Sequence, residues 1–228
     1  MTTNNYFGLM KFSEEIHIDS LINQGILKFS TLDFYQNKEK SKLEGFRFDK
    51  YEGYSEIINP ADIEKITIDG RDFKVVKRDD PVLIKTNTNQ FTHICCFNIL
   101  TMDTFLDNEG EERIINPKLF EFGDSIAVIP YPTKENGFFE RITTFFKNQK
   151  IDFVGREVNY IDFKKYTGKT GEFSKDIYFS YQKEFRLAIS LNNPKDYFLK
   201  IGKIDDLAIK VNKKNLINRI EDGIFILS

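Results

Sequence analysis

An α+β fold is predicted by three patterns in this 228-residue chain. The opening reads strand, helix, strand; an Asp69-Gly70 pair separates two short extended runs; and one amphipathic helix is followed by a succession of extended segments. No Pro/Gly/Ser-rich linker, internal repeat or low-complexity stretch interrupts them, so residues 1–228 are expected to form one domain with a substantial core.

Tyr6 to Phe12 reads as the first strand. Ser13 is the expected cap of the helix that follows, with Glu14 and Glu15 in the first turn, where the positive end of the helix dipole favours acidic side chains. Ile18, Leu21 and Ile22 supply its apolar face and Gly25 its stop, after which Ile26-Leu27-Lys28-Phe29 resumes an extended pattern. Ile66 to Ile68 and Phe73 to Val76 flank the Asp-Gly turn and are expected to pair antiparallel, around a loop of two residues or more. Further strands are expected at Val82 to Lys85, Phe91 to Asn98 and Ser125 to Ile129. Phe138, Ile142, Phe145 and Phe146 recur at helical spacing, which predicts a helix over 135–149 with its aromatics in the core. Extended patterns return at Asp152 to Phe163, Ile177 to Ser190, Tyr197 to Ile201, Leu207 to Val211 and Ile224 to Leu227.

Composition narrows the function classes. A hydrophobic content of 40% beside 30% charged residues fits a soluble globular domain, and 23 Phe with no Trp leave Phe to carry much of the core. The formal net charge of -2 provides no global basic field, so nucleic-acid binding requires a local patch. No apolar run reaches membrane-spanning length, and Met1-Thr2-Thr3-Asn4-Asn5 lacks the basic-then-apolar order of a signal peptide, so a cytoplasmic protein without membrane contact is expected. Cys95 and Cys96 are adjacent in an apolar stretch; they suit neither a disulfide framework nor a zinc site and read as reduced core residues. Neither His17 nor His93 lies in a catalytic motif, and the acidic loop Asp107 to Glu112 lacks calcium-ligand spacing, so no metal is expected.

The stretch Gln182-Lys183-Glu184-Phe185-Arg186-Leu187-Ala188-Ile189-Ser190 sorts at strand spacing into two chemically opposite faces. Lys183, Phe185, Leu187, Ile189 and Leu191 form a mostly apolar face; Gln182, Glu184, Arg186, Ala188 and Ser190 form the other. That second face either edges a cleft for a polar ligand or is the wet side of an antiparallel strand, with Glu184 and Arg186 as a same-face ion pair. Two loops invite the same comparison. Glu44-Gly45 with Asp49-Lys50-Tyr51-Glu52-Gly53 reads as a polar surface turn rather than a cover for a cleft. Lys164, Lys165, Lys169 and Lys175, in a basic loop spanning 164–175, read as solvated rather than as a phosphate or nucleic-acid contact, and Gly168-Lys169-Thr170 lacks the upstream glycines of a phosphate loop.

Taken in order, Lys11-Phe12, a short helix, Gly25-Ile26-Leu27-Lys28-Phe29-Ser30, then Ile94-Cys95-Cys96-Phe97-Asn98 and finally Tyr181-Gln182-Lys183-Glu184-Phe185-Arg186-Leu187 resemble an uncharacterised bacterial domain family with a central Cys-Phe-Ser strand and a carboxy-terminal Tyr-x-x-Glu-x-Arg-Leu signature. Asn98 stands where that family has Ser. More distantly, the architecture resembles mono-ADP-ribosyltransferases, in which a basic or histidine residue on the first strand, a hydroxyl-bearing central strand and a final Glu converge on NAD. Lys11, Asn98 and Glu184 occupy those places in sequence order, and Gln182-Lys183-Glu184 is similar to the Gln-x-Glu or Glu-x-Glu element of such enzymes.

The resemblance implies an ADP-ribosyltransferase-like domain in which two small, mainly antiparallel sheets, flanked by helices, enclose a cleft. It implies NAD as co-substrate, Glu184 and Gln182 as catalytic residues, and Lys11, Phe97, Asn98 and Tyr35 at the cofactor. Glu184 is given the oxocarbenium-stabilising role, Gln182 the positioning of an acceptor on protein or nucleic acid, and Lys11 a pyrophosphate contact. Tyr35 or Phe97 either stacks on nicotinamide or adenine or belongs to the core. The competing expectation is a noncatalytic nucleotide-binding or protein-interaction module in bacterial or phage conflict. A nuclease-like toxin ranks third, since it requires convergent carboxylates or a histidine pair that the spacing does not display.

Overall fold

A computed structural model of the chain describes residues 6–36, 49–63, 65–74, 80–85, 91–101 and 116–213. It is mixed α+β, with one eight-stranded sheet, three sheets of two or three strands, and few helices. β1 (Tyr6–Ser13) leads into α1 (Glu15–Gln24), β2 (Ile26–Thr31) and the short α2 (Leu32–Gln36). Ser13 is not the cap of α1: it still pairs with Ser125 in the sheet, and the carbonyl of Glu14 takes the first helical bonds from the His17 and Ile18 N–H groups. Gly25 stops the helix as expected, with φ 65° and ψ 32°. A Cβ there would stand 1.9 Å from the Gly202 carbonyl oxygen, so both the left-handed backbone and the close approach of the neighbouring chain require glycine.

β3 (Glu56–Ile58) is followed by β4 (Lys65–Ile68), β5 (Arg71–Lys74) and β6 (Val82–Ile84). The β4–β5 turn is the two-residue form: Asp69 and Gly70 have φ of 50° and 75°, the signs of a type I′ turn, and Ile68 pairs with Arg71. β7 (Phe91–Thr101) runs past Asn98, and β8 (Ser125–Pro130) precedes α3 (Phe138–Gln149). Then come β9 (Phe153–Glu157), β10 (Asn159–Ile161), β11 (Gly168–Lys169) and β12 (Ser174–Asp176). β13 (Glu184–Leu191), β14 (Tyr197–Lys200) and β15 (Ile209–Asn212) complete the described strands. The loop at 107–112, Glu44-Gly45 and the segment at 224–227 lie outside the described residues.

The extended segment expected from Ile177 to Ser190 is divided. Ile177–Gln182 forms a 3-10 helix, Lys183 turns through φ 40°, and the strand begins at Glu184. Asp176 accounts for the break, because its carboxylate accepts the Tyr178 N–H at 2.9 Å and so caps a helical turn that alternating apolarity conceals.

The expected pair of small sheets is replaced by one large sheet in the order β14-β2-β7-β1-β8-β15, with β13 also pairing β7 and β9 pairing β13. The reason is the length of β7. β13 follows it from Phe91 to Asn98, while β2 and β1 take successive parts of the remaining edge, at His93–Ile94 and Asn98–Thr101. One sheet face packs beneath α1 and α3, where Leu9, Phe97, Ile99, Leu187 and Ile189 meet Ile18, Leu21, Phe138, Ile142 and Phe146. Phe29–Phe146 and Phe97–Phe138 are edge-on at 5.9 and 5.5 Å, contacts worth about 0.5–1.5 kcal/mol each beyond burial. On the other face Met10, Phe12, Ile126 and Val128 pack with Leu119 of the 3-10 helix Pro117–Phe122. Among the described residues no helix is long and apolar enough to cross a membrane.

Candidate functional site

Where β1 and β2 part from their common partner, no strand among the described residues pairs that edge of β7 across residues 95–97. Lys11 reaches into this gap and donates from Nζ to the Cys96 carbonyl at 2.6 Å, its ammonium 5.2 Å from the centre of the Phe97 ring. A cavity of about 90 Å³ lies here, lined by Lys11, Phe12, Phe97 and Asn98, by Glu184 and Arg186, and by Tyr35, Glu52, Lys175 and Gln182, among others. That volume holds several waters or the reacting end of a ligand, and is smaller than the roughly 300 Å³ of pockets that enclose whole drug-sized ligands.

Four charged side chains form the polar core of the pocket. Arg186, with 0% exposure the largest fully buried side chain described, donates from Nε to Glu184 Oε1 at 2.6 Å. It also donates from its terminal nitrogens to Glu52 Oε1 and to the Glu172 carbonyl. Lys175 Nζ donates to Glu184 Oε2 at 2.9 Å and to Gln182 Oε1 at 2.8 Å. The fourth member, Glu52, is 1% exposed, and its Oε2 is the buried side-chain oxygen without a hydrogen-bond partner among the described residues. Two carboxylates and two cations balance formally, which is how charges are tolerated out of water.

Local structure aims each of these groups. Glu184 and Arg186 are two apart on β13 and so share a face, opposite Asn98 and Cys96 of β7 in register. The Glu184 N–H donates to the Tyr160 hydroxyl at 2.8 Å, and Asn98 Nδ2 donates to the Gln182 carbonyl at 2.6 Å, so the turn before β13 is tied down from both sides. Lys175, at the centre of β12, points inward while its neighbours are half-buried. Glu52 is positioned by Asp49, whose Oδ1 accepts the Tyr51 N–H and whose Oδ2 accepts the Asp176 N–H, both at 2.9 Å. One buried carboxylate thereby fastens the 49–53 turn to the end of β12.

Burial alone pushes Glu184 up, but the adjacent Arg186 and Lys175 outweigh it and hold the carboxyl well below the ordinary glutamate range. For Glu52 burial prevails over Arg186 and Lys175, and its carboxyl is raised. Burial also pushes the Cys96 thiol, on the pocket wall, well up, aided by Glu184, which disfavours its thiolate form. Tyr35 is raised well above the usual phenol value, by burial first and then by the charges around it.

All six residues expected at the site, Lys11, Tyr35, Phe97, Asn98, Gln182 and Glu184, line this one cavity. Several stand there for reasons other than those expected. Gln182 is not on the strand beside Glu184; it ends the 3-10 helix, and the two meet because both bond Lys175. Phe97 is a core residue packed edge-on to Phe138. The Asn98 amide holds backbone, and the Lys11 ammonium already bonds a carbonyl. The second face of β13 is not wet at Glu184 and Arg186, which are both buried, whereas Ser190 at its far end is exposed.

The sequence reading missed Glu52 and Lys175, having placed them in a surface turn and a solvated loop. Both are buried in the pocket, whereas Lys164, Lys165 and Lys169 are exposed as expected. No apolar alternation marks either position; the Asp49-x-Tyr51 turn and the Asp176 cap are the only local signals beside them. His93 is buried with each ring nitrogen 2.9 Å from a backbone carbonyl oxygen, and His17 is exposed on α1, away from the pocket lining. Among the described residues no group of three or more His, Cys, Asp or Glu is arranged to hold a metal ion. No family model, no curated protein and no solved structure matches the chain.

Proposed function

We propose that the chain is an NAD-dependent ADP-ribosyltransferase, with the nicotinamide-ribose end of NAD seated in this pocket against Glu184. The observation that supports it is the convergence of Lys11 from β1, Asn98 from β7 and Glu184 from β13 on one cavity, the arrangement implied by the resemblance to mono-ADP-ribosyltransferases. In the reaction the bond between ribose C1′ and the nicotinamide nitrogen breaks, and nicotinamide leaves neutral with the bonding pair. Positive character at C1′ is then quenched by an oxygen or nitrogen of the acceptor, whose proton passes to water. A carboxylate held ionised and immobile beside C1′ stabilises that charge without reorganising. Glu184 meets both conditions because Arg186 and Lys175 keep it charged and Tyr160 fixes its backbone. Lys11 has three donors, of which the Cys96 carbonyl takes one, leaving capacity for a phosphate oxygen. The acceptor is a protein or a nucleic acid, in a setting of bacterial or phage conflict.

One observation favours a second reading, a noncatalytic nucleotide-binding module: both Glu184 oxygens are engaged by cations, as in a purely structural ion cluster. Calorimetry with NAD and a nicotinamide-release assay separate the two. The transferase reading expects binding and release in the parent, with release lost in Glu184→Gln. Binding without turnover across protein and nucleic-acid acceptors supports the module, and no binding rejects both NAD readings.

A further inference from the structure

We propose that Glu52 is a second ligand-facing carboxylate of the site, its Oε2 accepting a hydrogen bond from a hydroxyl or carboxamide N–H of the bound molecule. The inference rests on the transferase reading for the identity of that molecule as NAD, and on the protein's own geometry for the role of the residue. Glu52 is 1% exposed, and its Oε1 satisfies Arg186. Among the described residues its Oε2 has no hydrogen-bond partner, although a buried acceptor left unmade is costly, the more so when it is charged. The nearby acceptors are already engaged: Glu184 by Arg186 and Lys175, Gln182 Oε1 by Lys175. A ligand donor entering this pocket, which Glu52 and Glu184 both line, therefore finds at Glu52 Oε2 an acceptor with no partner among the described residues.

The turn that carries Glu52 is built rather than loose. Asp49 spans from the Tyr51 N–H to the Asp176 N–H, and Gly53, at φ 74°, lies where a Cβ would come within 3.2 Å of the Leu32 side chain. The carboxylate is thus held with one oxygen on Arg186, on a residue that lines the pocket. The reacting end of NAD carries both kinds of donor, the ribose hydroxyls and the carboxamide NH₂, and either suits a carboxylate oxygen.

The test pairs Glu52→Gln, which keeps an oxygen for Arg186, with NAD analogues that each lack one donor: the 2′-deoxy and 3′-deoxy nicotinamide riboses and the acetylpyridine analogue. The parent is expected to bind NAD about tenfold to a hundredfold more tightly than the variant, and this penalty should vanish with one of the analogues. A penalty that stays the same with all three overturns the proposal, as does a parent crystal structure with a water on Oε2 fully bonded to protein. If the parent binds no NAD, the transferase reading fails on its own. Crystals soaked in D-ribose and in nicotinamide then decide the role of Glu52: a donor of either compound within hydrogen-bond distance of Oε2 upholds it, and absence of both overturns it.

Discussion

Lys175 Nζ lies 2.9 Å from Glu184 Oε2, although the two residues belong to different sheets and are separated by a capped 3-10 helix. The contact joins the small β10–β12 sheet to β13 of the large one. Both side chains are at most 6% exposed, so water does little to weaken their attraction. Removing one member of such a pair strands the other charge in a dry site.

Lys175→Met is therefore expected to destabilise the protein by about 3–5 kcal/mol, since Glu184 and Gln182 lose their shared donor together. Lys169→Met, on an exposed side chain six residues away, is expected to stay within about 0.5 kcal/mol of the parent. Urea denaturation of both variants checks the contrast. Equal midpoints would place the Lys175 ammonium in solvent rather than on Glu184.

The acid dependence of stability follows from the opposite displacements of Glu184 and Glu52. Glu184 is held below its ordinary value of 4.5, so as pH falls below that value the unfolded chain takes up the proton first. The stability it contributes is present above 4.5 and is lost as pH drops through the folded value. Glu52 is raised above 4.5, so its contribution is present at low pH and is lost as pH rises through the folded value. Glu52→Gln removes the second effect. Relative to the parent, its urea midpoint should improve as pH rises above 4.5, and a pH-independent difference between the two would contradict the raised carboxyl.

Legibility of the site divides along the same line as its chemistry. The faces of β13 can be read from sequence because period-2 alternation is a local property: Phe185, Leu187 and Ile189 turn to the α1–α3 core, while Glu184 and Arg186 turn to the pocket. The α1 stop at Gly25 and the presence of a turn at Asp69-Gly70, though not its two-residue length, are equally local, since each needs a positive φ that few residues adopt. What escapes is long-range. Glu52 and Lys175 reach the pocket through Asp49, whose bonds to Tyr51 and Asp176 bridge 127 positions of sequence. The single large sheet escapes for a similar reason, because only the assembled fold has β1 and β2 sharing one edge of β7. The 3-10 helix at Ile177–Gln182 is a subtler miss: its Asp176 cap is visible in the sequence, but a strongly apolar strand pattern runs over it.

On the transferase reading proposed above, acceptor choice is where Gln182 is expected to act, and the structure alters the reason. Its Oε1 is held by Lys175 and its backbone carbonyl by Asn98, so the side-chain amide is fixed at the pocket wall and does not swing with a flexible strand end. A fixed amide orients an incoming nucleophile by geometry and has no charge to lend the reacting ribose, whereas Glu184 supplies charge. Gln182→Ala should therefore reduce transfer to an acceptor by about tenfold or more while sparing hydrolysis of NAD by water, and Glu184→Gln should abolish both. Cell lysate incubated with labelled NAD, with protein and nucleic acid then separated, identifies the acceptor class on which the two variants are compared. Because Lys175 also bonds Gln182, the melting temperature of Gln182→Ala is measured in parallel. A fall in both reactions that tracks lost stability would make Gln182 a support for Lys175 alone, and parental transfer to every acceptor would remove it from the reaction.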